Sequence, residues 1–150
     1  MEPIYAEKLV TSQSIYIDSK RLLEWLYFVR WKVNKRNRAY LFDTLLIPLV
    51  LDMIGHFRRG YQFKEERLKE IYEFLYAFDR VEALIDLASS QKIISDKHYT
   101  QTFVWITRIR DSMKKWRAST KKAKNKTATQ SNNVGDAEME ISSRGGDGLI

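Results

Sequence analysis

The 150-residue chain contains no cysteine, so disulfides, thiolate zinc sites and cysteine nucleophiles are all excluded. A reducing compartment is compatible with that absence. Histidine is scarce too: His56 and His98 are the only two. They are predicted on different helices, and neither stands in the H-E-x-x-H or E-x-x-H spacing that presents metal ligands on one helix face. No Walker-type loop, G-x-G-x-x-G or nucleophile elbow is present, and G-G-D-G at Gly145 to Gly148 reads as tail composition rather than a phosphate cradle. These absences predict a protein that is not an enzyme, with no cofactor, metal or small-molecule substrate. No unbroken apolar run approaches the roughly 18 residues of a membrane span. Glu2 and Glu7 stand where a signal peptide would place positive charge and a greasy stretch. The expectation is a cytoplasmic protein with no membrane partner.

What is present is helical periodicity. Leu68, Ile71, Leu75, Phe78, Val81, Ile85 and Ala88 recur at spacings of three and four, and after a short polar break Tyr99, Phe103, Ile106, Ile109, Met113 and Trp116 do the same. That period places each set on one face of a helix, and the break between them permits only an antiparallel return. The first half repeats the design. A helix from about Ser14 to Val33 has Leu22, Leu26, Val29 and Val33 on one side. A second, from about Arg38 to Arg59, has a stripe of Phe42, Leu46, Leu49, Met53 and Phe57.

Pro48 falls inside the second helix, where its missing N–H and ring clash cost roughly 3 kcal/mol unless the helix bends or opens. One helix kinked near Thr44 to Pro48 is expected rather than two. Asn34 to Asn37 can cap and break, Gly60 is expected to end the second helix, and Ser95 is a good N-cap for the fourth. The fourth is expected to end near Ser119. Short links imply an all-α, antiparallel up-down-up-down four-helix bundle over residues 14–119. With 44% hydrophobic residues the chain can bury one core, hence one domain. Residues 1–13 form an N-terminal segment. Residues 120–150 begin with Lys121, Lys122, Lys124 and Lys126, then turn polar and acidic, and are expected to be a disordered tail.

The charge balance, 26 Lys+Arg against 19 Asp+Glu, gives a formal +7. In an up-down bundle the bases gather at two poles. Lys32, Lys35, Arg36 and Arg38 lie at one end; Arg58, Arg59, Lys114, Lys115 and Arg117 lie at the other, and Arg108 sits on the fourth helix. Two readings stand: a solvated face that keeps a basic protein soluble, or phosphate-binding clusters interleaved with Trp31, Tyr40 and Trp116. Base-specific readout has no support. The aromatic excess off the core stripes, at Trp25, Phe28, Trp31, Tyr72, Tyr76 and Trp105, exceeds what one bundle core requires. Self-association is its expected consequence, with Trp25, Phe28, Trp31, Ile47, Leu51 and Ile54 as the candidate interface.

The order of features carries a resemblance. L-L-E-W-L-Y at Leu22 to Tyr27, N-K-R-N-R at Asn34 to Arg38, H-F-R-R-G-Y at His56 to Tyr61, F-D-R-V-E-A-L-I-D-L-A at Phe78 to Ala88 and I-T-R-I-R-D-S-M-K-K-W at Ile106 to Trp116 resemble the accessory variability determinants of diversity-generating retroelements. The related ribosomal RNA intervening-sequence proteins share the pattern, which covers roughly residues 15 to 119. The resemblance implies a non-catalytic, barrel-like homopentamer of four-helix bundles. Its partners would be the retroelement reverse transcriptase, template RNA and possibly cDNA, in support of mutagenic cDNA synthesis. The alternative is an intervening-sequence-type bundle with a structural or RNA-associated role and no reverse-transcriptase partner.

Overall fold

The computed structural model describes residues 10, 11 and 13–146, with side chains as far as Lys126. Most of the expected N-terminal segment, and Asp147 and Gly148 of the G-G-D-G run, lie outside the described residues. Four long helices form the structure: α1, Ser14–Val29; α2, Lys35–Gln62; α3, Arg67–Ser90; and α4, Asp96–Gly146. Short 3-10 turns at Arg30–Lys32 and Lys64–Glu66 join α1 to α2 and α2 to α3.

The caps explain where these helices begin. The Asn34 side chain accepts from the Asn37 backbone N–H at 2.9 Å and opens α2; the Ser95 hydroxyl accepts from His98 N–H at 3.1 Å and opens α4. Each satisfies one of the donors that a helix start leaves unpaired. Gly60 does not end α2. It is buried within the last turn, which runs on to Gln62, and its carbonyl accepts from Arg67 Nε at 2.7 Å. At the end of α3, Lys92 takes the left-handed backbone (φ 59), letting the Ile93 N–H reach back to Ala88 O at 2.8 Å.

Pro48 acts by opening the helix. Residues Arg38–Leu46 form a π-helical stretch, in which hydrogen bonds reach back five residues instead of four. Ile47 N–H donates to Phe42 O, and Thr44 Oγ1 donates to Ala39 O at 2.7 Å. The wider turn accommodates the proline ring, which would otherwise meet the carbonyl of Thr44. α2 stays one helix.

Hydrogen bonds and ion pairs show that consecutive helices run antiparallel and that α4 returns beside α1. Arg30 pairs with Asp43 between α1 and α2, and His56 with Glu70 between α2 and α3. Tyr99 donates to Asp86 and Arg110 pairs with Glu82 between α3 and α4. Trp25 donates to Thr102 and Ser14 meets Ser112 between α1 and α4. The core they enclose contains Leu22, Leu26 and Val29 of α1, Phe42, Leu46, Val50, Met53 and Phe57 of α2, Ile71, Phe74, Phe78, Val81 and Ile85 of α3, and Ile106, Ile109 and Met113 of α4.

Two register expectations fail. On α3 Phe74 is fully buried while Leu75 is only half-buried; on α4 Phe103 is largely exposed, and Thr102 is buried in its place. The stripe on α4 therefore runs 102, 106, 109, 113, because Thr102 has polar partners on both sides: it accepts from Trp25 and donates to the His98 carbonyl at 2.7 Å.

By length and composition α2 could cross a membrane, although no unbroken apolar run in it is that long. Its buried stripe is the bundle core, and core helices pass the same test. α4 does not stop near Ser119: its backbone stays helical to Gly146, through the segment whose composition predicts disorder. The bundle is one compact unit ending at Lys115, and residues from Trp116 belong to a second.

Candidate nucleic-acid interface

The α1–α2 pole is built on arginines, and the structure divides them by role. Arg38 is half-buried; its Nε donates to Arg30 O at 2.9 Å and its Nη2 to Val33 O at 3.2 Å. It caps carbonyls left open where α1 unwinds. Arg30 forks onto Asp43 at 2.9 and 3.2 Å. Both guanidinium groups also lie against Trp31, at 4.7 Å for Arg30 and 4.5 Å for Arg38, so this tryptophan is held by cation–π contact while 57% exposed. Arg38 is thus engaged in holding the turn together. Lys32, Lys35 and Arg36 are the exposed bases here, with Lys32 Nζ 5.3 Å from the Phe28 ring.

At the opposite end Lys114 and Lys115 are exposed, and Arg58 lies over the Tyr16 ring at 6.0 Å. Arg59 leans on Glu70, Nε to Oε1 at 3.4 Å. Glu70 is only 5% exposed and its Oε2 accepts from His56 Nδ1 at 2.6 Å. With that proton on Nδ1, the 3.0 Å approach of Arg59 Nη2 to the same nitrogen is a close contact between two donors rather than a hydrogen bond. Sequence periodicity offers no signal for this cluster, since Glu70 reads as an acid of the first turn and its partners come from another helix. Arg117 belongs to the second unit, and Arg108 lies on the bundle with its guanidinium 5.1 Å from the Trp105 ring.

The candidate interface residues fall on different faces. Trp25 and Phe28 face α4, in a ring cluster with His98 (5.5 Å between Trp25 and Phe28, 5.8 Å from Trp25 to His98). Ile47, Leu51 and Ile54 lie on α2, and only Leu51 is largely exposed, at 52%. Tyr16 beside Arg58 and Arg30 beside Asp43 set the α1–α2 register. That register puts Tyr27 level with Ile47 and Leu23 level with Leu51, so these four and Ile54 form one outward apolar seam. Trp31 sits apart, at the turn.

Among the described residues two groups titrate away from their ordinary values. Burial pushes the Asp18 carboxyl above the usual carboxylate range, against the opposing pull of Arg108 and Arg21. The hydrogen bond to Asp86 raises the Tyr99 phenol. Among the described residues no group of three or more His, Asp or Glu could hold a metal ion. No family model, curated protein or solved structure matches the chain.

Proposed function

We propose that this chain is a non-catalytic accessory protein of a diversity-generating retroelement, which binds RNA through its basic surface and works beside the element's reverse transcriptase. The observation that carries the RNA-binding part is the α1–α2 pole, where three exposed bases, Lys32, Lys35 and Arg36, cluster at one turn. Cations supply phosphate contacts whether the strand is paired or unpaired. The retroelement and the polymerase partner come from the sequence resemblance. Self-association through the α1–α2 seam belongs to the same reading, because a multimer repeats a weak basic pole on one RNA.

Fluorescence anisotropy with labelled RNA across a salt series tests the RNA-binding part. Each phosphate contact contributes roughly 0.7 to 0.9 to the slope of log affinity against log salt. Replacing Lys32, Lys35 and Arg36 with glutamine should therefore lower the slope by about 2 without changing sequence preference, since phosphate contacts position and do not specify. Salt-independent affinity, or a triple variant that binds like the parent, refutes it. Co-purification with the reverse transcriptase encoded in the same locus tests the partner.

A further inference from the structure

A second surface, along the α1–α4 seam and adjoining the α1–α2 pole at Phe28, has the chemistry of a base-stacking site. Ser14 meets Ser112, Trp25 donates to Thr102 and Phe28 packs edge-on to His98 at 6.4 Å. In that antiparallel register Asp18 falls level with Arg108, and Arg21 with Trp105. The outer seam between α1 and α4 is an open groove. One hollow of ≈ 460 Å³ is lined by Arg21, Glu24, Trp25, Phe28, Gln101 and Trp105. An adjoining hollow of ≈ 420 Å³ is lined by Trp25, Lys97, Thr100 and Gln101. Both fall in the range of about 300–1,000 Å³ typical of small-ligand sites, and Trp25 is the wall they share.

Three features narrow the occupant. The walls are aromatic: Trp25, Phe28 and Trp105 present flat rings, which suits planar heterocycles better than aliphatic side chains. The lining carries two cations, Arg21 and Lys97, against one acid, Glu24, with Arg108 level with Asp18 next to it, and the net positive charge suits a ligand carrying phosphates. Gln101, common to both hollows, offers a donor and an acceptor to the edge of whatever stacks there. Trp25 itself is anchored, because its indole N–H is held by Thr102 at 2.8 Å. The stacking wall is thus fixed before any ligand arrives.

We infer that the α1–α4 groove binds single-stranded RNA by taking two neighbouring unpaired bases, one in each hollow beside Trp25, with Arg21, Arg108 and Lys97 beside the connecting phosphates. This rests on the RNA-binding reading above but makes a separate claim about strandedness. Bases paired in a duplex have no free faces to offer, so the groove discriminates single strands from helices where the basic poles do not.

The test uses the full chain, a 12-nucleotide RNA with 2-aminopurine at one central position, and the same RNA annealed to its complement. The single strand should bind about 10-fold tighter than the duplex, and 2-aminopurine emission should be quenched on binding. Phe28→Ala and Trp105→Ala should each weaken single-strand binding by about 5-fold or more, the loss expected for one stacked base, with the salt slope unchanged. Circular dichroism checks folding; should Trp105→Ala fail to fold, Trp105→Leu, which keeps the position filled with an apolar side chain, takes its place, because Phe28 also touches Lys32 of the α1–α2 pole. If the parent binds single strand and duplex equally, with a steep salt slope, the groove inference is overturned and the basic-pole reading stands. Binding of neither RNA overturns both. Groove variants that bind RNA like the parent but change the oligomeric mass show that a second copy of the chain fills the groove, which also overturns it.

Discussion

Thr102 is the residue on which the α1–α4 register turns, and Thr102→Val isolates its hydroxyl. Valine keeps the shape and removes two hydrogen bonds: the one Thr102 accepts from Trp25 Nε1 at 2.8 Å and the one it donates to His98 O at 2.7 Å. The His98 carbonyl remains within the helix ladder, so the group left unpaired is the indole N–H. An unsatisfied buried donor costs about 1–3 kcal/mol, and the lower half applies because Trp25 is only partly buried. Against this, the new methyl at a position 1% exposed contributes up to about 0.8 kcal/mol of burial. The net expectation is a loss of about 0.5–1.5 kcal/mol.

A double-mutant cycle makes this expectation sharp. In a Trp25→Phe background there is no N–H to orphan, so adding Thr102→Val should be neutral or stabilising. The coupling between the two sites should come to about 1 kcal/mol. Urea unfolding followed at 222 nm supplies the four free energies. Strict additivity of the two substitutions would refute the argument, because it would mean that the Trp25–Thr102 bond contributes nothing and that apolar packing alone places Thr102 inward.

Further outcomes follow from single positions. Lys92→Gly should stabilise the bundle by about 1 kcal/mol, read from urea midpoints, because glycine occupies the left-handed backbone at φ 59 without the side-chain penalty. Asp18→Asn should raise the melting temperature at pH 7. The folded-state pKa of Asp18 lies above its unfolded value, so its protonated form favours folding and that contribution is lost as pH rises through the folded pKa. Below the ordinary carboxylate range the advantage of asparagine should vanish, and a gain that persists there would refute the burial account. Leu51→Lys should convert a multimer to monomers with helical circular dichroism unchanged, since Leu51 is largely exposed; light scattering that finds the parent already monomeric at micromolar concentration would refute the α1–α2 seam as a contact between copies.

The helices were legible because their stripes are long and regular: every residue of the second-helix stripe, Phe42, Leu46, Leu49, Met53 and Phe57, is buried. Residues that answer to a partner on another helix were not. Phe103 outranks Thr102 on any hydrophobic scale, yet Thr102 takes the core position because Trp25 waits across the seam with a donor. Glu70 reads as a solvated acid and is instead enclosed by His56 and Arg59. The proline in α2 announced a disturbance, but the sequence pointed to a kink near Thr44 to Pro48, whereas the helix opens into a π-helical stretch from Arg38 to Leu46. The Trp25–Trp105 groove was half visible: both tryptophans stood off the core stripes, but only the antiparallel register shows that they share one surface.

The same distinction limits what the basic run can do. Read along the sequence, Lys32 to Arg38 is a block of cations, and every one of them counts toward a phosphate site. In the folded turn Arg30 answers to Asp43 and Arg38 to two main-chain carbonyls, so part of each guanidinium is engaged in holding the turn. Lys32, Lys35 and Arg36 remain for phosphates, and three contacts support a salt slope of only about 2 to 3. A single bundle would therefore hold RNA weakly through this pole. Tight binding has to come from stacking in the α1–α4 groove or from several copies on one strand, and the two differ in their dependence: stacking survives dilution of the protein, whereas multivalency is lost when the α1–α2 seam is broken. Leu51→Lys is the substitution that separates them. If the monomer it produces keeps its affinity for single strands, the groove supplies that affinity; if the affinity falls away with the multimer, repetition of the basic pole supplies it.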